Sequence, residues 1–206
     1  MRIRLFLLLC LAVVGCTRRE TPVKEAIRDQ VLHFGNLSEP EDLDPHVVTG
    51  VTEHNILVAL LEGLVSEDPK TLAPVPGVAE SWDISEDGTR YIFHLRENAK
   101  WSNGDPVTAE DFVFSYRRML NPSIGSPYAD MLFYLEGAEA YNSGPTNDFN
   151  TVGVKAEDAR TLVLQLKSAT PYFLSLLNHY SWFPVHPGTL RQFNAEESIT
   201  ANWTRP

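Results

Sequence analysis

Ser81-Trp82-Asp83-Ile84, the turn-forming pair Asp87-Gly88, and Arg90-Tyr91-Ile92-Phe93-His94-Leu95-Arg96 form two β-rich runs around a tight turn. Tyr91, Phe93 and Leu95 fall on alternate positions, which predicts a β-hairpin with one buried face. Trp82 and Ile84 are expected to cover the same core. Downstream, the polar turn Ser102-Asn103-Gly104-Asp105 leads through Pro106 to Thr108, with Asp111 three residues on. That spacing is close to a helix capping box, and the helix it opens carries Phe112, Val113, Tyr116, Met119 and Leu120 as its apolar stripe until Asn121-Pro122 ends it. A second helix-like stretch spans 128–141. A second hairpin follows, pairing Val152 and Val154 with Leu162, Leu164 and Leu166 across Glu157-Asp158, and Pro171 opens a short apolar helix through Leu177. No closing strand or cap is evident from Pro184 onward.

Upstream, Ile56, Leu57, Leu60, Leu61 and Leu64 recur at helical spacing and predict a helix over 55–64 with one buried face, Gly63 lying at or near its end. Val31-Leu32-His33-Phe34 reads as a short strand. The loop after it, 36–52, carries Asp42, Asp44, Pro45 and Gly50, and loops that follow strands often meet ligands. Hairpins and helices in no strict alternation make the chain α+β with mainly antiparallel pairing, rather than a doubly wound parallel sheet.

The first sixteen residues have a different character. Arg2 and Arg4 precede an apolar run from Leu5 to Val14 that ends at Gly15-Cys16, the pattern of a secretory leader. The run is too short for a permanent span, which needs roughly 20 apolar residues. Val13-Val14-Gly15-Cys16 looks like a bacterial lipobox, so Cys16 is expected to become residue one and to carry diacylglycerol and an acyl chain. Cys10 would leave with the leader. No thiol then remains for disulfides or a thiolate metal site, and stability must come from burial, for which 43% hydrophobic residues and 10% aromatics suffice. The net charge of -10 becomes more negative when Arg2 and Arg4 are removed, which excludes nucleic acid as a partner because phosphate binding needs clustered cations. Residues 17–30 mix Arg18, Arg19 and Lys24 with Glu20 and Glu25 and read as a solvated polar tether.

Catalytic constellations are missing: there is no G-x-S-x-G elbow, no H-E-x-x-H pair and no P-loop. His33, His46, His54, His94, His179 and His186 show no metal-ligand spacing, so no metal or cofactor is expected. Glu41-Asp42 reads as a solvated loop and Glu110-Asp111 as a helix first turn, where carboxylates suit the dipole. Of the aromatics, Trp82, Trp101, Tyr134, Tyr172, Trp182 and Trp203 read mainly as core. Tyr128 stands apart, because it follows Ser126-Pro127 outside the periodic stripes.

Four blocks in order carry a resemblance: Pro76-Gly77-Val78-Ala79-Glu80-Ser81-Trp82, Tyr91-Ile92-Phe93-His94-Leu95-Arg96, Ala99-Lys100-Trp101-Ser102-Asn103-Gly104 and Val107-Thr108-Ala109-Glu110-Asp111-Phe112. Together they resemble bacterial extracellular solute-binding proteins of family 5. Asp44-Pro45-His46 with Gly50-Val51, Asn121-Pro122 with Ser126-Pro127-Tyr128, and Val152-Gly153-Val154-Lys155-Ala156 narrow the resemblance toward the oligopeptide-binding branch. It implies the type II periplasmic-binding fold, a two-lobed clamp with an extra small domain, of which this chain would hold only the N-terminal part.

The implied plan is a leader over 1–15, a tether over 16–30, the first segment of the ligand-binding lobe over 31–61, the small α+β domain over 62–186 and a return into the lobe over 187–206. The resemblance implies no enzyme but a monomeric, lipid-anchored, extracytoplasmic protein that captures extended peptides by their main chain and hands them to an ABC permease. By motif, Thr49, Gly50 and Val51 would supply main-chain contacts and Tyr128 would line a side-chain pocket. A peptide-binding relative carries glutamate in place of Thr49, so a charge contact there is not carried over. Dipeptides, nickel complexes, haem or sugars stay open as ligands, as does a remnant or interaction module without transport activity.

Overall fold

The computed structural model describes residues 20–144, 146, 148–197, 203 and 204. The leader, Cys10 and the lipobox at Cys16 lie outside the described residues. The chain divides into two compact units, Met1–Leu37 and Ser38–Pro206.

In the first unit, part of the expected solvated tether forms a helix, α1, Pro22–Asp29. Thr21 Oγ accepts the Lys24 N–H at 3.4 Å, Pro22 opens the first turn, and Gln30 ends the helix in the left-handed region. None of its residues is buried. The predicted strand over 31–34 is not formed: these residues are irregular, with Val31, Leu32 and Phe34 exposed. β-propensity alone does not make a strand without a ladder partner.

The second unit is organised on a four-stranded antiparallel sheet in the order β3-β4-β6-β5, with β3 Ala79–Ile84, β4 Arg90–Leu95, β5 Val154–Asp158 and β6 Thr161–Gln165. A two-stranded ribbon, β1 Val65–Glu67 and β2 Pro74–Pro76, precedes it. The first hairpin forms as predicted. Tyr91 stands opposite Leu164 and Phe93 opposite Leu162, and on the far side of β6 Leu164 and Leu162 meet Val154 and Ala156. One sheet face thus presents a continuous apolar layer, with Phe93 fully buried. Such burial contributes about 2–3 kcal/mol for a large side chain. Ile84, expected in this core, is 47% exposed at the end of edge strand β3. The second hairpin turns at Ala159 and Arg160, two residues beyond the expected Glu157-Asp158.

Helix α3, Ala109–Leu120, packs on β5 and β6 with Phe112, Tyr116, Met119 and Leu120 buried. Its start follows the predicted cap: an Asp111 carboxylate oxygen accepts the Thr108 N–H at 3.0 Å and the Trp101 indole N–H at 2.9 Å. Asn121 caps its end, ahead of Pro122. The predicted helix over 128–141 is broken into a 3-10 turn, Ala129–Leu132, and helix α4, Ala138–Ser143. Between them Leu135 bridges Leu166 and the Glu136 N–H donates to the Gln165 carbonyl at 2.9 Å, and Gly137 follows with φ at +70° at a site where a Cβ would come within 2.2 Å of the Thr151 carbonyl oxygen. Helix α5 spans Phe173–Leu176. Beyond Pro184 the chain forms a capped helix after all, α6, Pro187–Gln192, whose first turn is held by His186 Nδ1 accepting the Thr189 N–H at 3.1 Å.

Helix α2 is Val51–Leu60, starting four residues before the predicted 55 and ending at Leu60, so that Gly63 lies beyond it. Its burial also differs, because Glu53 and Leu57 face inward while Leu60 is 66% exposed. The apolar spacing marked a helix correctly but not its buried face.

Candidate functional site

The loop from Ser38 to Gly50 contains no strand or helix, so its carbonyls, N–H groups and carboxylates must be satisfied by turns and by side chains from elsewhere. Asp42 Oδ1 accepts the Leu43 and Asp44 N–H groups at 2.6 and 2.9 Å and the Thr204 hydroxyl at 2.6 Å. The expected solvated acid is therefore an internal bracket. Asp44 receives both forks of Arg118, Nη1 to Oδ1 at 3.0 Å and Nη2 to Oδ2 at 2.7 Å, and the Trp203 indole N–H at 3.0 Å. Arg118 Nη1 also lies 2.9 Å from His46 Nδ1, and Nε donates to the Ala195 carbonyl at 2.9 Å.

Asp44, His46 and Arg118 are 3%, 1% and 2% exposed. A guanidinium only donates, so His46 Nδ1 accepts and the ring is neutral with its proton on Nε2. Burial drives the His46 pKa down to about 4, with Arg118 adding to the effect and Asp44 opposing it. Burial works to raise the Asp44 pKa, but the Arg118 hydrogen bonds and the neighbouring positive charge overcome it and hold the carboxyl below its ordinary range.

The far end of the loop is fixed by two tyrosines. Tyr180 donates its hydroxyl to the Val48 carbonyl at 3.0 Å, and Tyr128 donates to the Thr49 carbonyl at 3.4 Å. The rings of Tyr128, His179 and Tyr180 pack together, with centroids 5.0 Å apart for Tyr128 and His179 and 4.3 Å for His179 and Tyr180. His54, on α2, completes the cluster against Tyr180 at 5.7 Å. Burial depresses the His179 pKa, and His54 adds to the shift.

Gly50 then leads into α2. Glu53 folds back over it, accepting the Glu41 N–H at 2.9 Å and the Thr52 hydroxyl at 2.8 Å, and these two donors hold its carboxyl below the usual range. A Cβ on Gly50 would lie 1.8 Å from the Glu53 carboxylate oxygen, so any larger residue there would push this carboxylate off its partners. The N–H groups of Thr49, Gly50 and Val51 meet no acceptor among the described residues. Thr49 and Val51 are exposed. A groove of about 590 Å³ beside them is lined by Glu39, Glu41, Asp42, Thr49 and Gly50 among others.

Thr49 and Tyr128, 79 residues apart in sequence, are thus brought into contact, with Gly50 and Val51 continuing the same edge. The sequence reading did not single out Arg118, Tyr180, His179 or Glu53 for this region. Tyr180 and His179 carried a usable signal in being adjacent aromatic rings, whereas Arg118 carried none. Among the described residues no group of three or more His, Cys, Asp or Glu could hold a metal ion.

Comparison with known proteins fixes the class. Residues 73–206 match the model for bacterial extracellular solute-binding proteins, family 5 Middle, and the chain belongs to that family. The chain is 44% identical over 181 residues to the periplasmic oligopeptide-binding protein OppA of Escherichia coli, covering 86% of this chain and 31% of that one. It is 40% identical over 185 residues to the dipeptide-binding protein DppE of Bacillus subtilis, covering 86% and 34%. Among solved structures, OppA of Haemophilus influenzae in complex with RPPGFSPFR superposes with a TM-score of 0.73 at 41% identity, over 77% of this chain and 31% of that one. The chain spans about a third of the length of the curated relatives it matches. The fold is accordingly part of the type II periplasmic-binding architecture.

Proposed function

We propose that this chain contributes the first part of the substrate-binding component of an ABC importer, a protein that captures extended oligopeptides outside the inner membrane and delivers them to a permease. The observation that carries the reading is the exposed edge Thr49-Gly50-Val51, with its unpaired N–H groups beside Tyr128. Main-chain donors of this kind pair with the carbonyls of any peptide laid along them, so binding tolerates many sequences. Tyr128 would bound a side-chain pocket. The names of the oligopeptide- and dipeptide-binding relatives support the substrate class.

Residues 31–61 and 187–206 belong in this reading to the ligand-binding lobe, and 62–186 to the small extra domain. Residues 1–15 act as the leader, 16–30 as the tether, and Cys16 carries the lipid that holds a monomeric protein at the membrane surface. No catalytic step is required of it.

Native mass spectrometry of the protein extracted in mild detergent from its own cells tests this directly. The expected result is a species acylated at Cys16 that releases a heterogeneous set of short peptides on activation. A protein that carries no peptide and takes none up from a tryptic digest would overturn the reading.

A further inference from the structure

We infer that Arg118 is a positioning residue for the edge Thr49-Gly50-Val51, acting at a distance through Asp44 and His46. This rests on the binding role proposed above. Arg118 makes its hydrogen bonds to Asp44, His46 and Ala195, and to none of the three edge residues. It holds instead the start of the short segment that delivers them. With no ladder or helix between Ser38 and Gly50, the part from Asp44 to Thr49 is hung from two ends: the tyrosine hydroxyls on Val48 and Thr49 at one, and the forked Arg118 contact with Asp44 at the other. Between them the Val47 and Val48 N–H groups close a turn on the Asp44 carbonyl at 3.1 and 3.3 Å, so a shift of Asp44 is passed along the main chain to Thr49. Arg118 is itself locked from behind by the Ala195 carbonyl, and Asp44 by Trp203. The return segment thereby takes part in setting the edge.

The same geometry gives acid a route to the edge. His46 Nδ1 is an acceptor for Arg118, so a proton there abolishes the contact and sets two cations side by side. The groups facing His46 are Asp44 from its own loop and Arg118 from α3, while Phe183 presents main chain only.

Four variants in the protein as encoded by its own gene test the inference: Arg118→Lys, Trp203→Phe, His46→Gln and, as a control, Arg90→Gln, which removes an exposed pair with Glu157. Two readouts are taken, amide exchange at Val47 and Val48 without ligand and affinity for trialanine. Lysine cannot supply the fork, so Arg118→Lys is expected to speed exchange at these amides and weaken trialanine binding by about tenfold each. Trp203→Phe, which deletes one bond to Asp44 and keeps the fold if Arg118→Lys does not, is expected to shift both by about threefold. Arg90→Gln shifts neither. His46→Gln is expected to flatten the loss of trialanine affinity on acidification. Unchanged exchange and affinity in Trp203→Phe and Arg118→Lys, with only a lowered Tm, would overturn the inference. If the unmodified protein binds no trialanine, the functional reading is what fails, and the exchange rates alone decide the positioning role.

Discussion

The sheet-and-helix core and the loop from Ser38 to Gly50 are both well buried at their centres, but they are built on opposite principles. In the core, two hairpins of sequence neighbours, β3 with β4 and β5 with β6, are joined by the one distant pairing of β4 with β6, and α3 lays an apolar stripe across them. In the loop, apart from its own turns and the bond from the Glu41 N–H to Glu53 on the following helix, the side-chain contacts that hold it come from far away. Arg118 is 74 residues from Asp44, Tyr180 is 132 from Val48, and Trp203 is 159 from Asp44. The core is held by non-directional burial, in which each side chain is packed by many neighbours at once. The loop is held by directional, partly charged bonds, and removing one partner leaves the other buried without compensation.

That difference predicts different costs. Phe93→Ala, in the fully buried layer of the sheet, should lower stability by about 3–5 kcal/mol, read as a drop in the urea midpoint. Arg118→Met should cost a similar ~3–5 kcal/mol, because it strands the Asp44 carboxylate. The distinguishing step is the second substitution: adding Asp44→Asn to Arg118→Met should restore part of the loss, whereas no change of a single neighbour restores Phe93→Ala. If the double variant is no more stable than Arg118→Met, the loop is not organised by charge.

Acid should separate the regions further. His46 is neutral in the folded protein, its pKa lowered from 6.5 to about 4, so below pH 6.5 the unfolded state binds the proton first. Stability that is complete above pH 6.5 is therefore lost progressively down to about pH 4, by about 3 kcal/mol. The depressed Asp44 pKa adds a further loss only below its unfolded value of 3.8. His46→Gln should remove most of the slope between pH 6.5 and 4, measured as urea midpoint against pH. A slope unchanged by that substitution would assign the effect to His179, whose pKa is shifted in the same direction.

Smaller effects grade the loop's remaining ties. Tyr180→Phe deletes the bond to the buried Val48 carbonyl and should cost about 1 kcal/mol. Arg90→Gln, on an exposed pair, should cost at most about 0.5 kcal/mol in the same denaturation experiment.

The same contrast explains what the sequence disclosed. Alternation in Tyr91, Phe93 and Leu95, the cap formed by Thr108 and Asp111, and the stripe from Phe112 to Leu120 are local patterns, and the structure follows them. The break before Gly137 is not legible, because it comes from main-chain pairing of 135–136 with 165–166, which are distant in sequence. Leu60 and Ile84 were misplaced because periodicity identifies an element without saying which face finds a partner. Arg118 looks like any cation near a helix C-terminus, favourable to the dipole and exposed; only the closure of the loop onto α3 reveals it as buried. The edge Thr49-Gly50-Val51 and Tyr128 were reached through resemblance to a family, and the contact between Tyr128 and Thr49 shows that they share one place in the fold.

A crystal structure of the protein encoded by the gene, grown with trialanine, tests the central claim most directly. The account predicts peptide carbonyls within hydrogen-bond reach of the N–H groups along Thr49-Gly50-Val51 and a peptide side chain against the Tyr128 ring. A peptide bound elsewhere, with those N–H groups facing only water, would contradict it.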